Sequence, residues 1–334
     1  MGVDEVLHIE WGLPLPPVWM GVAAGVATLL VVLVKWNKAK RCTDSTDLRG
    51  KTVIITGANT GIGFSTARDL AARDAKVILA CRSKERGEAA RQDIVVATGN
   101  KNVVVRQLDL FDFESVRQFA EQILREEDRL DILINNAAIF GLPQPPSKHG
   151  LEVTMAINHF GHFLLTLLLL DLLKKSAPSR VITVSSGANG MDKKVGIDFS
   201  NLHCERAQSQ FARYAASKLA NIFFTRELAR RLHGTGVTAY CLHPGFVSTH
   251  IGRNLGAFSK SLLWALSSVI RSGDEGSQTS IFLAVADASK LESGKYYFDC
   301  ALAEHKVNPL ADDRQLVGKL WDVSAQLTGV SPDI

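Results

Sequence analysis

Beyond a polar stretch at 41–50, the chain alternates short, continuous apolar runs with longer segments whose apolar positions recur at helical spacing. The runs at 52–56, 76–80, 103–108, 132–135, 181–185, 237–242 and 295–298, rich in β-branched or, in the last, aromatic residues, predict strands. Their apolar residues run on consecutively instead of alternating in and out, as expected of parallel strands covered on both faces. Segments 62–73, 115–125, 160–175 and 211–232 predict helices among them. Alternating strands and helices imply an α/β fold, a doubly wound parallel sheet of about seven strands. In such sheets ligands bind beyond the carboxyl ends of the strands, near the point where strand order reverses. The residues that follow each strand therefore carry the chemistry.

One apolar run does not fit that rhythm. Nothing between 11 and 34 is charged, and "VWMGVAAGVATLLVVLV" (18–34) is long enough to span a bilayer as a helix, with Pro16 and Pro17 at its start. Asp4, Glu5 and Glu10 precede it, whereas Lys35, Lys38, Lys40 and Arg41 follow it. A cleaved leader would have the opposite charge order. The positive-inside rule places the remainder of the chain in the cytosol. We therefore expect a single-pass anchor with its basic flank over 1–43 and one catalytic domain over 44–334; a buried N-terminal helix is the alternative. Cys42, beside the anchor, is either an acylation site or an idle thiol.

Composition narrows the class. The 334 residues are 46% hydrophobic and 22% charged, an ordinary globular mix. A net charge of +4 without a basic block argues against a nucleic-acid partner. Cysteines 42, 81, 204, 241 and 300 show neither a C-x-x-C pair nor metal-ligand spacing, which suggests free thiols in a reducing compartment and no metal. His159 and His162 flank Gly161 without a third ligand at metal spacing, so structural histidines are expected.

The strand ends are informative. The first strand runs into "TGANTGIG" (56–63), where Gly57, Gly61 and Gly63 permit a tight turn and close backbone approach to a phosphate. Asn59, Thr60 and Ile62 belong to the same turn, and the helix that follows offers its positive end to the anion. This is a Rossmann-type dinucleotide cradle with G-x-x-x-G-x-G spacing. The second strand ends at Cys81 and Arg82, where an acidic residue would bind the ribose of NAD; an arginine suits a 2′-phosphate, hence NADP(H), unless Arg82 is simply a surface cation. Asp109 is placed to accept the adenine amino group, or else to cap the next helix. Asn135 and Ala137 lie in "NNA", Ser185 and Ser186 follow the fifth strand, and Pro244, Val247 and Thr249 lie in "HPGFVST". In "YAASK", Tyr214 and Lys218 stand one helical turn apart with only small side chains between them. Taken alone, that pentapeptide also reads as a solvated turn.

Together, TG-x-x-x-G-x-G, NNA, the strand-end serine, Y-x-x-x-K and PG resemble the short-chain dehydrogenase/reductases, in order, over about residues 48–300. Longer stretches, "ILACRS", "NHFGHFLLTLLLL", "SKLANIFFTRELARRL" and "SGKYYFDC", resemble the membrane-anchored retinol dehydrogenases. The resemblance implies a catalytic tetrad of Asn158, Ser186, Tyr214 and Lys218, with Ser186 also touching substrate and Tyr214 and Lys218 also touching cofactor. A nearby ammonium favours the phenolate, so Lys218 is expected to lower the pKa of Tyr214. Ser185 is the rival serine; strand alternation allows only one of the pair to serve.

Two features depart from the pattern. Ala138 replaces the glycine of N-N-A-G, which suggests a slight backbone rearrangement, and Ser186 precedes Tyr214 by 28 residues, which suggests an insertion within 187–213. Segment 251–271, containing "LLWALSSVI", falls where the family carries a substrate lid, although an ordinary packed helix would read the same way. The implied activity is NADP(H)-dependent interconversion of a lipophilic alcohol and aldehyde, with retinal reduction foremost, at the cytosolic face of the endoplasmic reticulum. A steroid or other lipid-carbonyl reductase is the alternative, and an inactive cofactor-binding scaffold a third.

Overall fold

The computed structural model describes residues 39–141, 150–190, 196–203, 205–247 and 270–334. Strands β1 (Thr52–Thr56), β2 (Lys76–Cys81), β3 (Val103–Gln107), β4 (Ile132–Asn135), β5 (Ser179–Val184), β6 (Val237–His243), β7 (Tyr296–Phe298) and β8 (Ala301–Leu302) form one sheet in the order β3-β2-β1-β4-β5-β6-β7-β8. All neighbours are parallel except the β7–β8 pair. Strand order reverses between β1 and β4, which opens a crevice at their carboxyl ends.

The continuous apolar runs are explained by burial on both faces. Ile54, Ile78, Leu133 and Val181 point to one side, under helices α3 (Phe113–Glu126), α4 (Gly161–Leu168), α6 (Gln210–Arg231) and α8 (Arg314–Thr328). Val53, Ile55, Val77, Leu79 and Ile134 point to the other, under α1 (Gly61–Ala72), α2 (Lys84–Thr98) and α7 (Gly273–Val285). Side chains alternate along each strand, but both sides are core.

The segment expected as one helix over 160–175 is divided. A π turn at Ala156–Phe160 precedes α4, and α5 (Leu170–Lys175) follows it. The Gly161 N–H donates to the Ala156 carbonyl, five residues back. Gly161 also lets the segment approach β3's exit: a Cβ there would lie 2.5 Å from the Leu110 carbonyl oxygen. The expected seven strands become eight because β8 pairs antiparallel to β7 across a turn with Asp299 and Cys300 at φ 50° and 56°. The apolar run 18–34, Cys204, Thr249 and most of 251–271 lie outside the described residues.

Candidate active site

A cleft of about 540 Å³ opens at the sheet's reversal point, lined from the ends of β1, β2, β4, β5 and β6 and from α6. Gly57, Asn59, Thr60, Gly61, Ile62 and Gly63 form one wall. Gly57 and Gly61 adopt φ 66° and 57°, which favour glycine. Gly63 is fixed by space: a Cβ would lie 2.5 Å from Asn136 Nδ2 and 2.6 Å from the Gly57 carbonyl oxygen. The first turn of α1 carries no acidic residue, and the Thr60 side chain does not cap it. A phosphate therefore fits the cradle, as the positive end of a twelve-residue helix faces the cleft there.

Arg82 is exposed at the end of β2 and lines the cleft with Ser83 and Arg86. Asp109 lines it too, but caps nothing: Asp112 caps α3 by accepting from Glu114 N, and Asp109 Oδ1 accepts from Phe111 N at 3.0 Å. Ala137, Pro244 and Val247 lie on the lining. Asn135 turns inward, where its amide donates to Thr166 Oγ1 at 3.0 Å; its neighbour Asn136 lines the cleft instead. Ala138 is not left-handed, so alanine replaces the usual glycine without backbone strain.

The cleft floor gathers Ser186, Tyr214 and Lys218. Tyr214 is hydrogen-bonded to the Ser186 side chain and meets Phe140 edge-on, with ring centroids 5.1 Å apart. Lys218 is 1% exposed; its ammonium donates to the Val184 carbonyl at 2.9 Å and stands 5.7 Å from the Tyr214 ring centre. Burial pushes that ammonium down to about 8. The expected lowering of Tyr214 is not found. Burial raises the phenol above its usual 10, the Ser186 hydrogen bond offsets this in part, and Lys218 directs a proton at Val184 instead.

Ser185 also borders the cleft, but its hydroxyl donates to the Lys218 carbonyl at 2.6 Å and thereby fixes α6 against β5. Asn158, fully buried behind the floor, accepts from Ile139 N (2.9 Å) and donates to the Ile139 carbonyl (3.1 Å) and to Ser217 Oγ (3.0 Å). Ser217 Oγ donates in turn to the Tyr214 carbonyl at 2.8 Å. Asn158 thus ties the β4 exit to α6 from inside a π turn, a distortion frequent at functional sites.

His159 and His162 are both buried, and burial drives each down to about 3. His159 Nε2 pairs with Ser324 Oγ and His162 Nε2 with Thr56 Oγ1, each at 2.8 Å. Among the described residues no cluster of three or more His, Cys, Asp or Glu is placed to hold a metal. Phe140 joins the lining without a signal in the sequence, whereas Arg86 lies there as a neighbour of Arg82 and Asn136 as the middle residue of NNA.

Residues 51–260 match the short chain dehydrogenase family. Human retinol dehydrogenase 12 is 47% identical over 290 residues, covering 86% of this chain and 90% of that protein. Human retinol dehydrogenase 13 is 45% identical over 325 residues, covering 95% of each. Among solved structures, an uncharacterized protein from Mycobacterium paratuberculosis superposes with a TM-score of 0.71 at 33% identity, over 89% of this chain and all of that one. The Pseudomonas aeruginosa RhlG/NADP complex shares the fold at 24% identity, with a TM-score of 0.61 over 75% of this chain and 94% of that one. With the glycine cradle, the strand-end serine and the Tyr214–Lys218 pair converging on one cleft, these matches place the chain in the short-chain dehydrogenase family, among oxidoreductases close to the retinol dehydrogenases.

Proposed function

We propose that the protein is an NADP(H)-dependent oxidoreductase that interconverts a lipophilic alcohol and aldehyde, all-trans-retinal and retinol foremost, in the direction of reduction. The observation that carries this reading is the cleft floor, where Tyr214 bonds Ser186 and stacks its ring beside the buried Lys218. A nicotinamide bound in the cleft supplies or accepts the hydride. The chain's own residues manage the oxygen and its proton. Ser186 and Tyr214 present two hydroxyls to one substrate oxygen, and Tyr214 delivers the proton as charge develops there. Lys218, still mostly charged at pH 7 with a pKa of about 8, supports the negative charge that Tyr214 acquires. Asn158 holds the backbone beside this group and, with bound water, completes the proton path to Lys218.

Arg82 supports NADP(H): it stands where NAD-binding folds carry an acidic residue, and Arg86 adds a second guanidinium on the same rim. Gly57, Asn59, Thr60, Gly61, Ile62 and Gly63 would hold the pyrophosphate, with Asp109 on the adenine and Ala137, Pro244, Val247 and Thr249 nearer the ribose and nicotinamide; Asn136, which lines the cleft, takes the place expected for Asn135. An apolar substrate suits Ile139, Phe140 and Ile157 on the lining, and retinol is the substrate named in the relatives. The proposed setting is a membrane, reached through the anchor at 18–34, with the catalytic domain toward the cytosol.

The test is a screen of the full-length protein against all-trans-retinal, steroid ketones and aliphatic aldehydes, with NADPH and with NADH. Faster turnover of retinal with NADPH is expected. A preference for steroid ketones would transfer the assignment to a steroid reductase, and turnover of none would favour the inactive scaffold. Protease added to sealed microsomes should digest the catalytic domain; protection until detergent is added would reverse the orientation.

A further inference from the structure

The hydrogen bonds around His162 form a chain whose proton positions can be deduced by counting. At the end of β1, Thr56 Oγ1 accepts from two backbone N–H groups, Asn136 and Ala137, each at 2.9 Å. Both acceptor sites of the hydroxyl are then filled, so its own proton must be donated. His162 Nε2 lies at 2.8 Å and the Ile134 carbonyl at 3.5 Å, and the shorter contact takes it. Nε2 is therefore the unprotonated nitrogen. The ring proton sits on Nδ1, which faces the Asn158 carbonyl at 3.3 Å and donates to it. One neutral tautomer satisfies the whole chain.

The main chain of His162 is held from the same side. Thr166 Oγ1 donates to the His162 carbonyl at 2.7 Å and accepts from Asn135 Nδ2 at 3.0 Å. Both asparagines of the β4 exit therefore reach His162, Asn136 through Thr56 and Asn135 through Thr166. On the far side, Asn158 grips Ile139 and, through Ser217, the backbone of Tyr214. His162 is 2% exposed; the ionisable groups facing it are Lys218 on α6 and His159 on its own segment.

We infer that His162 is a positioning residue that couples the cofactor wall of the cleft to the Asn158 turn, with Nε2 holding the Asn136–Ala137 backbone through Thr56 and Nδ1–H holding the Asn158 carbonyl. This deepens the proposed function and rests on it where turnover is concerned. The two ring nitrogens carry separable tasks. Glutamine can reproduce the Nε2 position and accept from Thr56, and asparagine can reproduce the Nδ1 position and donate to Asn158.

The test compares His162→Gln, His162→Asn and His162→Leu in the full chain. NADPH affinity is read by fluorescence titration, the pH profile of kcat with retinal and NADPH is measured, and Tm serves as the stability control. Loss of the Thr56 contact should weaken NADPH roughly tenfold in the Asn and Leu variants, with the Gln variant near wild type. Loss of the Asn158 contact should move the kcat profile by roughly half a pH unit in the Gln and Leu variants but not in the Asn variant. Changes that run in step with Tm across all three variants would make His162 a filler of space and overturn the inference. Should the variants fail to fold, the ¹⁵N shifts of His162 in the wild-type chain decide the matter. A neutral Nδ1–H ring from pH 6 to 9 is required, and an Nε2–H ring refutes the chain. Because the titration and the NMR measurement need no turnover, a wild type that binds NADPH yet leaves retinal unreduced counts against the proposed function alone.

Discussion

A lysine ammonium at 1% exposure is tolerable here because its surroundings compensate it: the Val184 carbonyl accepts one proton and the Tyr214 ring face lies nearby. Burial raises the adjacent phenol, and the Ser186 hydrogen bond offsets this in part. On the proposed function, Tyr214→Phe removes the proton donor and should abolish turnover while leaving NADPH affinity nearly unchanged. Steady-state kinetics beside a binding titration check it, and one tenth of wild-type activity remaining would remove Tyr214 from the mechanism. At the rim, Arg82→Asp tests cofactor choice. Charge-assisted hydrogen bonds contribute about 1.5–3 kcal/mol, so NADPH should weaken by about 10- to 150-fold while NADH changes little. Arg86 and Lys84 stand nearby, and their partial compensation would shrink the shift without reversing it. The ratio of kcat/KM for the two cofactors is the readout, and an unchanged ratio would free Arg82 from the assignment.

At the scale of elements, the β1–α1 turn depends on glycine 63 for space alone. In Gly63→Ala the new methyl would press on the Gly57 carbonyl and the Asn136 amide, both part of the cleft wall. NADPH should bind at least about tenfold more weakly with an unchanged far-UV CD spectrum, since a helical alanine is otherwise favourable; undiminished affinity would mean that the turn relaxes freely. Strands β1, β2 and β4 to β7 were legible because burial on both faces leaves a continuous apolar run, and β3, half-buried on one face, was legible from its three successive valines. Strand β8 was not, since Ala301 and Leu302 are two exposed residues without a pattern. Residues 151–166 are buried at every position, polar ones included, so apolar periodicity carries no phase there and the π turn is hidden in it. The site was legible wherever polar groups follow a strand directly. The inward turn of Asn135 and the bridging by His162 were not, because both depend on how α4 packs against the β4 exit.

For the molecule as a whole, three buried histidines set an acid limit. Burial drives His159, His162 and His243 from 6.5 to about 3. Between those values the unfolded chain binds protons that the folded chain refuses, so stability is full above pH 6.5 and falls as pH drops toward 3. Around pH 5 each site costs about 2 kcal/mol, and three together approach the whole stability of an ordinary domain. Tm should fall steeply between pH 6.5 and 5, and a flat Tm there, followed by scanning calorimetry, would mean that the rings are reached by water. The strand order has a consequence for synthesis. As the chain emerges, β2 adds to β1, β3 to β2, β4 to the other edge of β1, and β5, β6 and β7 each to the strand before. No strand has to be threaded between two already paired, so the sheet can widen by edge addition alone while translation proceeds. The glycine turn and the β4 exit come together at about residue 140, but Lys218 finds its carbonyl acceptor only after β5 and α6 have followed. In order of synthesis, the glycine turn and the β4 exit thus precede the residues proposed to carry the chemistry.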